Sequence, residues 1–543
     1  MIEKPKSYSI RSYLEELRRR HPDQLVEIED EITIDYEPTA YYLALRKKNP
    51  VILFKKIRGF SNYNLVTNLF GSMERLARLA GFGTIDEAIE KWPDISNSRL
   101  VEQLSIDGDV NEVFSISEGT SVNVFNIPVP SHYPQDGSNT GFSRYITSGL
   151  TTTRDPADEG TINLSFARIQ LFEKGKFAFD AGSHGHLWSY LRHSMDRGKR
   201  LRMTVLVGPN PIFYLLAASF IDNEFSKASR MFNIRFVPGY GNDIPIPFDT
   251  EIAIEAEFIP GETFDEGPFA EYAGYMGYDS TKYVAEIKSI LTKPEPIYFD
   301  IQPSNSSEHV NLFSVPRTSI VMRSLREALP KGPEYKVSWP HYGGRFMSLA
   351  YVDRAEPGLA KQLGFSILGA DPLWNKIVFV NEGKTDLTIE AALANLAQSR
   401  HYNSENVSIV SNMFVISSDP TRDNSGNTGK IVFVTEGKNQ AFERAIEEDS
   451  VVIRTVNGTV VISHDEPTEG KVRIMVPKDI DLRDFEQVGW VMATRLNPTD
   501  DITIERDHVT FRAIRKVPPV ARLPDEVKER IWKRAQLFTG RFA

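Results

Sequence analysis

EIAIEAEF, residues 251–258, decides how the middle of this chain folds. Ile252, Ile254 and Phe258 alternate with Glu251, Glu255 and Glu257, a period of two that gives a strand one apolar and one charged face. Ile162 to Phe172 alternates in the same way. Several such strands separated by turns predict a barrel or sandwich between about residues 145 and 300. Two helices are expected to interrupt it, His186–Arg197 and Pro211–Phe220.

On the N-terminal side, residues 8–110 read as mixed helix and strand. Ser9 precedes a short helix with Leu14 and Leu17 on one face, Val51–Phe54 is a buried strand, and 72–92 is helical through Leu76, Leu79 and Ile85. Arg18, Arg19 and Arg20 close the first helix as its solvated end, where cations suit the dipole. Residues 119–145 are rich in Pro, Gly, Ser and Asn and read as a long loop, a kind of segment that is often functional. After residue 310 strands and helices alternate, which predicts an α/β unit. Within it, Lys376–Arg400 and Lys471–Arg495 share one grammar: Lys, an apolar strand, Asp-Leu, then a helix ending in Arg. They are either a repeat or two ordinary βα units. Residues 401–470, with the loop SSDPTRDNSGNTGK, read as an inserted segment.

Composition excludes several classes. The 543 residues include 41% hydrophobic and 25% charged side chains, ordinary for a globular chain with a large core. A net charge of −10 argues against a nucleic-acid surface. No cysteine is present, which removes disulfides, thiolate metal sites and a thiol nucleophile, and leaves His, Asp, Glu, Asn or backbone oxygen to hold any metal. The N-terminus lacks a signal-peptide core, and the longest uncharged run, Met203–Ile221, is cut by Gly208-Pro209-Asn210-Pro211. A cytoplasmic protein without a membrane segment is expected.

Three clusters carry chemistry. In Asn163-Leu164-Ser165-Phe166-Ala167-Arg168 an arginine stands on an otherwise apolar strand, costly to bury unless paired. Asn163 and Arg168 are five apart, so a regular strand points them to opposite faces. They address one ligand only if the strand ends or bulges, or the ligand wraps its edge. Gly182-Ser183-His184-Gly185-His186 is a polar loop or, with Asn163 and an oxygen from Asp222-Asn223-Glu224, a site hard enough for Mn²⁺ or Mg²⁺. In Asp265-Glu266-Gly267-Pro268-Phe269-Ala270-Glu271-Tyr272, carboxylates flank a Gly-Pro turn among apolar neighbours that desolvate them. Taken alone, that segment is also simply a turn.

Taken in order, Asn-x-x-x-x-Arg, the Gly-His-Leu helix start, Asn-Glu-Phe and Glu-Gly-Pro-Phe-x-Glu-x-x-Gly-Tyr resemble the UbiD-type decarboxylases. These are prenylated-FMN-dependent enzymes that include ferulic acid decarboxylase, whose catalytic pattern is the nearer one. The resemblance runs from about residue 10 to 400 and resumes at Val491–Pro498; residues 401–470 have no counterpart in it. It implies an α/β protein with an N-terminal α/β region (1–118), a central split β-barrel holding the flavin (119–310) and a C-terminal α/β domain (311–543).

The resemblance also implies roles. Asn163, His186 (or His184) and Glu224 would hold Mn²⁺ or Mg²⁺ against the flavin phosphate, with K⁺ near Ala218, Ser219 and Phe220. Thr147, Asn163, Leu164, Ser165, Phe166, Ala167, Arg168, Gly185 and His186 would line the cofactor, and Lys376 (or Lys471) would reach its phosphate. Arg168, held by Glu266, would orient a substrate carboxylate, and Glu271 would protonate the carbon that loses CO₂. The expected activity is decarboxylation of an α,β-unsaturated or (hetero)aromatic acid, with a flavin prenyltransferase supplying the cofactor and a homodimer or hexamer as the assembly. The alternatives are a carboxylase running in the reverse direction, a glycoside hydrolase using Glu266 and Glu271, and a non-catalytic flavin or phosphate carrier.

Overall fold

The computed structural model describes residues 7–96, 104, 106–182, 185–219, 221–354, 356–436, 442–447 and 449–539. The chain divides into two compact units: residues 1–270, 276–316 and 520–543 form one, and residues 271–275 and 317–519 the other. The C-terminal segment 520–543 groups with the first unit, and a short piece after the Gly-Pro turn groups with the second.

In the first unit, Ser9 caps the helix Ile10–Arg20 by accepting from the Ser12 N–H, and Tyr13, Leu14 and Leu17 bury one face of it. A four-stranded sheet follows the order Leu25–Ile32, Val51–Ile57, Asn64–Thr67, Ile297–Asp300. The larger sheet has nine strands, every pairing antiparallel. Its main order is Tyr145–Ile146, Ile169–Glu173, Lys176–Phe179, Ser280–Thr292, Ile252–Glu266, Arg202–Val207, Leu150–Asp155, Asp158–Phe166.

Connectivity shapes this sheet. Asp158–Phe166 lies at one end and Ile169–Glu173 next to the other, yet only Ala167 and Arg168 join them. Laid flat, six strand spacings would separate the two by about 29 Å. Three Cα steps span at most about 11 Å. The sheet therefore curls until its ends approach, which is the split barrel, and Arg168 lies in the seam. The helices His186–Asp196 and Ile212–Ala217 interrupt the strands as expected, the second buried along Ile212–Leu216.

Two carboxylates on the charged face of 251–258 are buried: Glu251 and Glu255 are each 1% exposed. Glu251 takes a two-point bond from Arg11, 2.8 and 2.6 Å, while Glu255 accepts from the Tyr240 and Gly241 N–H groups at 2.7 Å and from the Ser289 hydroxyl at 2.6 Å. Buried carboxylates are tolerated because each is paired this way.

The second unit carries a five-stranded sheet, Tyr335–Ser338, Met347–Val352, Ile377–Glu382, Asn427–Glu436, Val407–Phe414. A six-stranded sheet runs Glu443–Ile446, Ser450–Arg454, Thr459–Ser463, Val472–Met475, Val509–Arg512, Ile502–Ile504. The paired 25-residue segments are both βα units, Ile377–Glu382 with helix Ile389–Gln398 and Val472–Met475 with helix Phe485–Arg495. Residues 401–470 are no appendage: their strands build part of both sheets. Among the described residues, no helix is long and apolar enough to cross a membrane.

Candidate active site

The strand Asp158–Phe166 stops two residues short of Arg168, so the odd spacing from Asn163 imposes no opposite face. In the seam, the Arg168 Nη2 donates to Glu266 Oε2 at 2.7 Å, and Asp180 Oδ2 stands farther off at 3.9 Å. The Arg168 side chain is 18% exposed and that of Glu266 3%, so the pair is largely dry with one edge reachable. Glu266 Oε1 is buried, with the Tyr145 phenol as its side-chain neighbour. The guanidinium also lies 5.2 Å from the centroid of the Phe269 ring, which packs on Tyr145 at 4.4 Å. Burial, reinforced by the Glu266 charge, pushes the Tyr145 phenol far above its ordinary range. Lys282 pairs with Asp180 at 2.8 Å and extends a row of alternating charge, Lys282–Asp180–Arg168–Glu266.

A second group gathers beside the same strand. Asn163 Oδ1 lies 3.0 Å from His186 Nδ1, while its amide nitrogen donates to Ser165 Oγ at 2.6 Å. An amide oxygen only accepts, so His186 Nδ1 is the donor in this arrangement. Glu224 opens the helix Glu224–Phe232, is 3% exposed, and accepts from the Leu164 backbone N–H. Burial pushes its carboxyl well above the ordinary range, with Lys227 opposing. A buried carboxylate beside an amide oxygen and an imidazole is a donor set that fits a hard or borderline divalent cation. Among the described residues, no three His, Asp or Glu side chains surround a common metal position; this set depends on the amide.

Other expected residues stand as follows. The Thr147 hydroxyl donates to Asp300 Oδ1 at 3.1 Å, and Asp300 also meets buried His132 Nε2 at 2.9 Å. Leu164 and Ala167 are buried; Ser165, Phe166 and Gly185 are half-buried. The Ser219 hydroxyl accepts from Trp92 Nε1 at 2.9 Å and donates to Leu215 O at 2.7 Å, so its side chain is already engaged. His184 and Phe220 lie outside the described residues. Glu271 falls in the second unit, half-buried, in a turn closed by its N–H donating to Tyr275 O at 2.8 Å.

Lys376 differs from expectation. It is 0% exposed in the second unit and donates to Asp419 Oδ1 at 2.9 Å and Thr421 Oγ1 at 2.8 Å. Burial lowers its pKa and the Asp419 charge opposes that shift. An ammonium enclosed with its own carboxylate is not free to meet a phosphate, so Lys376 leaves the candidate site. Lys471 donates to Ser399 O at 3.0 Å.

Sequence reading also missed residues. Asp136, His132 and Asp300 form a buried polar layer beneath the Gly-Pro turn and Thr147, and Asp180 and Lys282 flank Arg168. The only sequence signal for the first two was the length of the 119–145 loop.

Comparisons with known proteins agree with this architecture. Three family models match: the 3-octaprenyl-4-hydroxybenzoate carboxy-lyase N-terminal domain at residues 16–92, the Rift-related domain at 103–306 and the C-terminal domain at 459–520. Phenolic acid decarboxylase of Bacillus subtilis is 22% identical over 409 residues, 72% of this chain and 83% of its own. Among solved structures, the UbiD-class enzyme HmfF from Pelotomaculum thermopropionicum in complex with FMN superimposes with a TM-score of 0.71. It is 22% identical, covering 81% of this chain and 98% of that one. Apo 3,4-dihydroxybenzoic acid decarboxylase of Klebsiella pneumoniae gives a TM-score of 0.71 at 16% identity, with coverage of 81% and 98%. The matched models span more than half of the sequence and include the seam and the Gly-Pro turn: the chain belongs to the UbiD family of carboxy-lyases.

Proposed function

We propose that this protein decarboxylates an α,β-unsaturated or aromatic carboxylic acid without net oxidation, using prenylated FMN. The observation that carries the reading is the Arg168–Glu266 pair in the barrel seam beside the Asn163, His186 and Glu224 group. The names of relatives and neighbours support the substrate class, phenolic and dihydroxybenzoic acids, and FMN or its prenylated form.

When bound, the prenylated flavin supplies the electron sink that makes loss of CO₂ possible. The protein's part is charge, orientation and protons. Arg168, held by Glu266, receives the substrate carboxylate through its reachable edge in a water-poor seam, where such bonds gain strength. Asn163, His186 and Glu224 would hold Mn²⁺ or Mg²⁺, which would supply positive charge to the flavin phosphate and a counter-ion to the buried Glu224. K⁺ would be held near the backbone of Ala218 and Ser219. Glu271, carried by the same Glu-Gly-Pro-Phe segment, returns a proton to carbon.

The test is to co-express the chain with a flavin prenyltransferase, purify it with Mn²⁺ and K⁺, and record absorbance and cofactor mass. CO₂ release is then screened across cinnamic, phenolic and heteroaromatic acids. A folded, colourless protein with no flavin mass overturns the reading. CO₂-dependent carboxylation under the same conditions measures the reverse direction.

A further inference from the structure

Beneath the Gly-Pro turn, Asp136 is 1% exposed and binds with both carboxylate oxygens. Oδ1 accepts the Ala270 N–H and Oδ2 the Tyr133 N–H, each at 3.0 Å. The next residue adds a third bond, the Gly137 N–H donating to Pro268 O at 2.7 Å. The loop thus grips the turn at both its carbonyl and its amide end. From the opposite side the turn is held by the Gly277 N–H donating to Phe269 O, 2.7 Å. Between those grips stands Phe269, whose ring supports the Arg168 guanidinium and the Tyr145 ring. None of these bonds involves Asn163, His186 or Glu224.

A carboxylate is the suitable group at this point. It offers acceptors on both oxygens, whereas the near-isosteric amide offers one acceptor and turns an N–H against a backbone N–H. Burying the acid has a cost: desolvation pushes its carboxyl up to about 6, with His132, the two backbone donors and Arg168 opposing. A buried acid serving only to fill space would be replaced by an apolar residue without loss.

We infer that Asp136 is a positioning residue for decarboxylation: it fastens the Gly267–Ala270 turn so that Phe269, Arg168 and Glu266 keep their mutual geometry. The inference rests on the proposed decarboxylase reading, and its test separates the two. Holoenzyme with Asp136→Asn is compared with wild type by hydrogen exchange of peptides covering 266–270, by kcat and KM for CO₂ release, and by the absorbance and occupancy of the cofactor. Exchange in that peptide rises about tenfold. The kcat falls by about 10- to 100-fold, as expected of a small misplacement, while KM and cofactor occupancy stay within about twofold. Asp136→Glu keeps both oxygens but lengthens the arm, so its kcat falls less than that of Asp136→Asn.

Wild-type exchange and kcat in Asp136→Asn overturn the inference. So does a kcat that falls only in proportion to lost cofactor. Should Asp136→Asn fail to fold, Asp136→Glu decides: a lowered kcat at unchanged KM supports positioning, and a wild-type kcat refutes it. If loaded wild-type enzyme releases no CO₂ from any acid tried, the decarboxylase reading has failed, and exchange at 266–270 alone judges the clamp.

Discussion

Glu266→Gln isolates the charge of the seam pair from its shape. The carboxylate is 3% exposed on its side chain and its Oε2 receives Arg168 at 2.7 Å. With charge centres about 4 Å apart and an effective dielectric near 20, the pair's attraction is about 4 kcal/mol. Much of that is offset by the desolvation of a carboxylate, which glutamine avoids, so the net stability change is about 1–2 kcal/mol. Glutamine can still present an oxygen to Arg168, and the fold and cofactor loading persist. Function changes far more. Arg168 loses its nearest carboxylate and turns toward Asp180, 3.9 Å away, which misdirects a substrate carboxylate bound to the guanidinium. Loss of one preorganised charged contact lowers kcat/KM by about 100-fold or more. The assay is CO₂ release by enzyme matched for cofactor absorbance, alongside a thermal melt. A Glu266→Gln enzyme within about twofold of wild type would refute the reasoning.

Four further outcomes are expected. Glu308 is 0% exposed and accepts the N–H groups of Asn68 (3.0 Å), Phe70 (3.2 Å) and Gln302 (3.4 Å), so Glu308→Ala orphans three buried donors and costs at least about 3 kcal/mol by chemical denaturation. Burial raises the Glu308 pKa to about 8 from 4.5, so the native chain holds this proton more tightly than the unfolded one. Stability contributed by Glu308 is then lost as pH rises through that window, a slope that Glu308→Gln lacks, and parallel melting curves for the two proteins contradict it. Lys376→Met strands the buried Asp419 and destabilises the second unit by about 3 kcal/mol, with partial recovery in Lys376→Met/Asp419→Asn and unchanged cofactor occupancy; lost occupancy would return Lys376 to the flavin. Gly137→Ala adds a Cβ against the Phe142 carbonyl oxygen at a φ of +61°, so it lowers both the melting temperature and kcat, and a neutral effect on both counts against the clamp.

How far the sequence reading reached depends on the range of the interactions involved. The strand at 251–258, the first helix behind Ser9 and both βα units were legible because their signals are periodic and local. The burial of Glu251 was not, since its partner Arg11 lies 240 positions away. Alternation continues through Ile162–Phe172, so nothing in the pattern marks the break at Ala167–Arg168; only sheet order exposes it. For the site, the types and order of Asn163, Arg168, His186, Glu224 and Glu266 were readable, whereas Asp136 looked like any acidic loop residue. Lys376 precedes a strand as a phosphate-binding lysine would, and only Asp419, 43 positions away in the loop after Val407–Phe414, reveals a structural use.

The two-residue link at Ala167–Arg168 also constrains how the gene can be cut and rejoined. Circular permutants opened in the exposed hairpin at Lys174–Gly175 keep the covalent tie that draws the sheet's ends together. A permutant opened between Ala167 and Arg168 loses that tie and turns the candidate carboxylate-binding arginine into a chain terminus. Inserted residues at this link would slacken the closure and displace the guanidinium together, so the tether's length and the arginine's address are inherited as one trait.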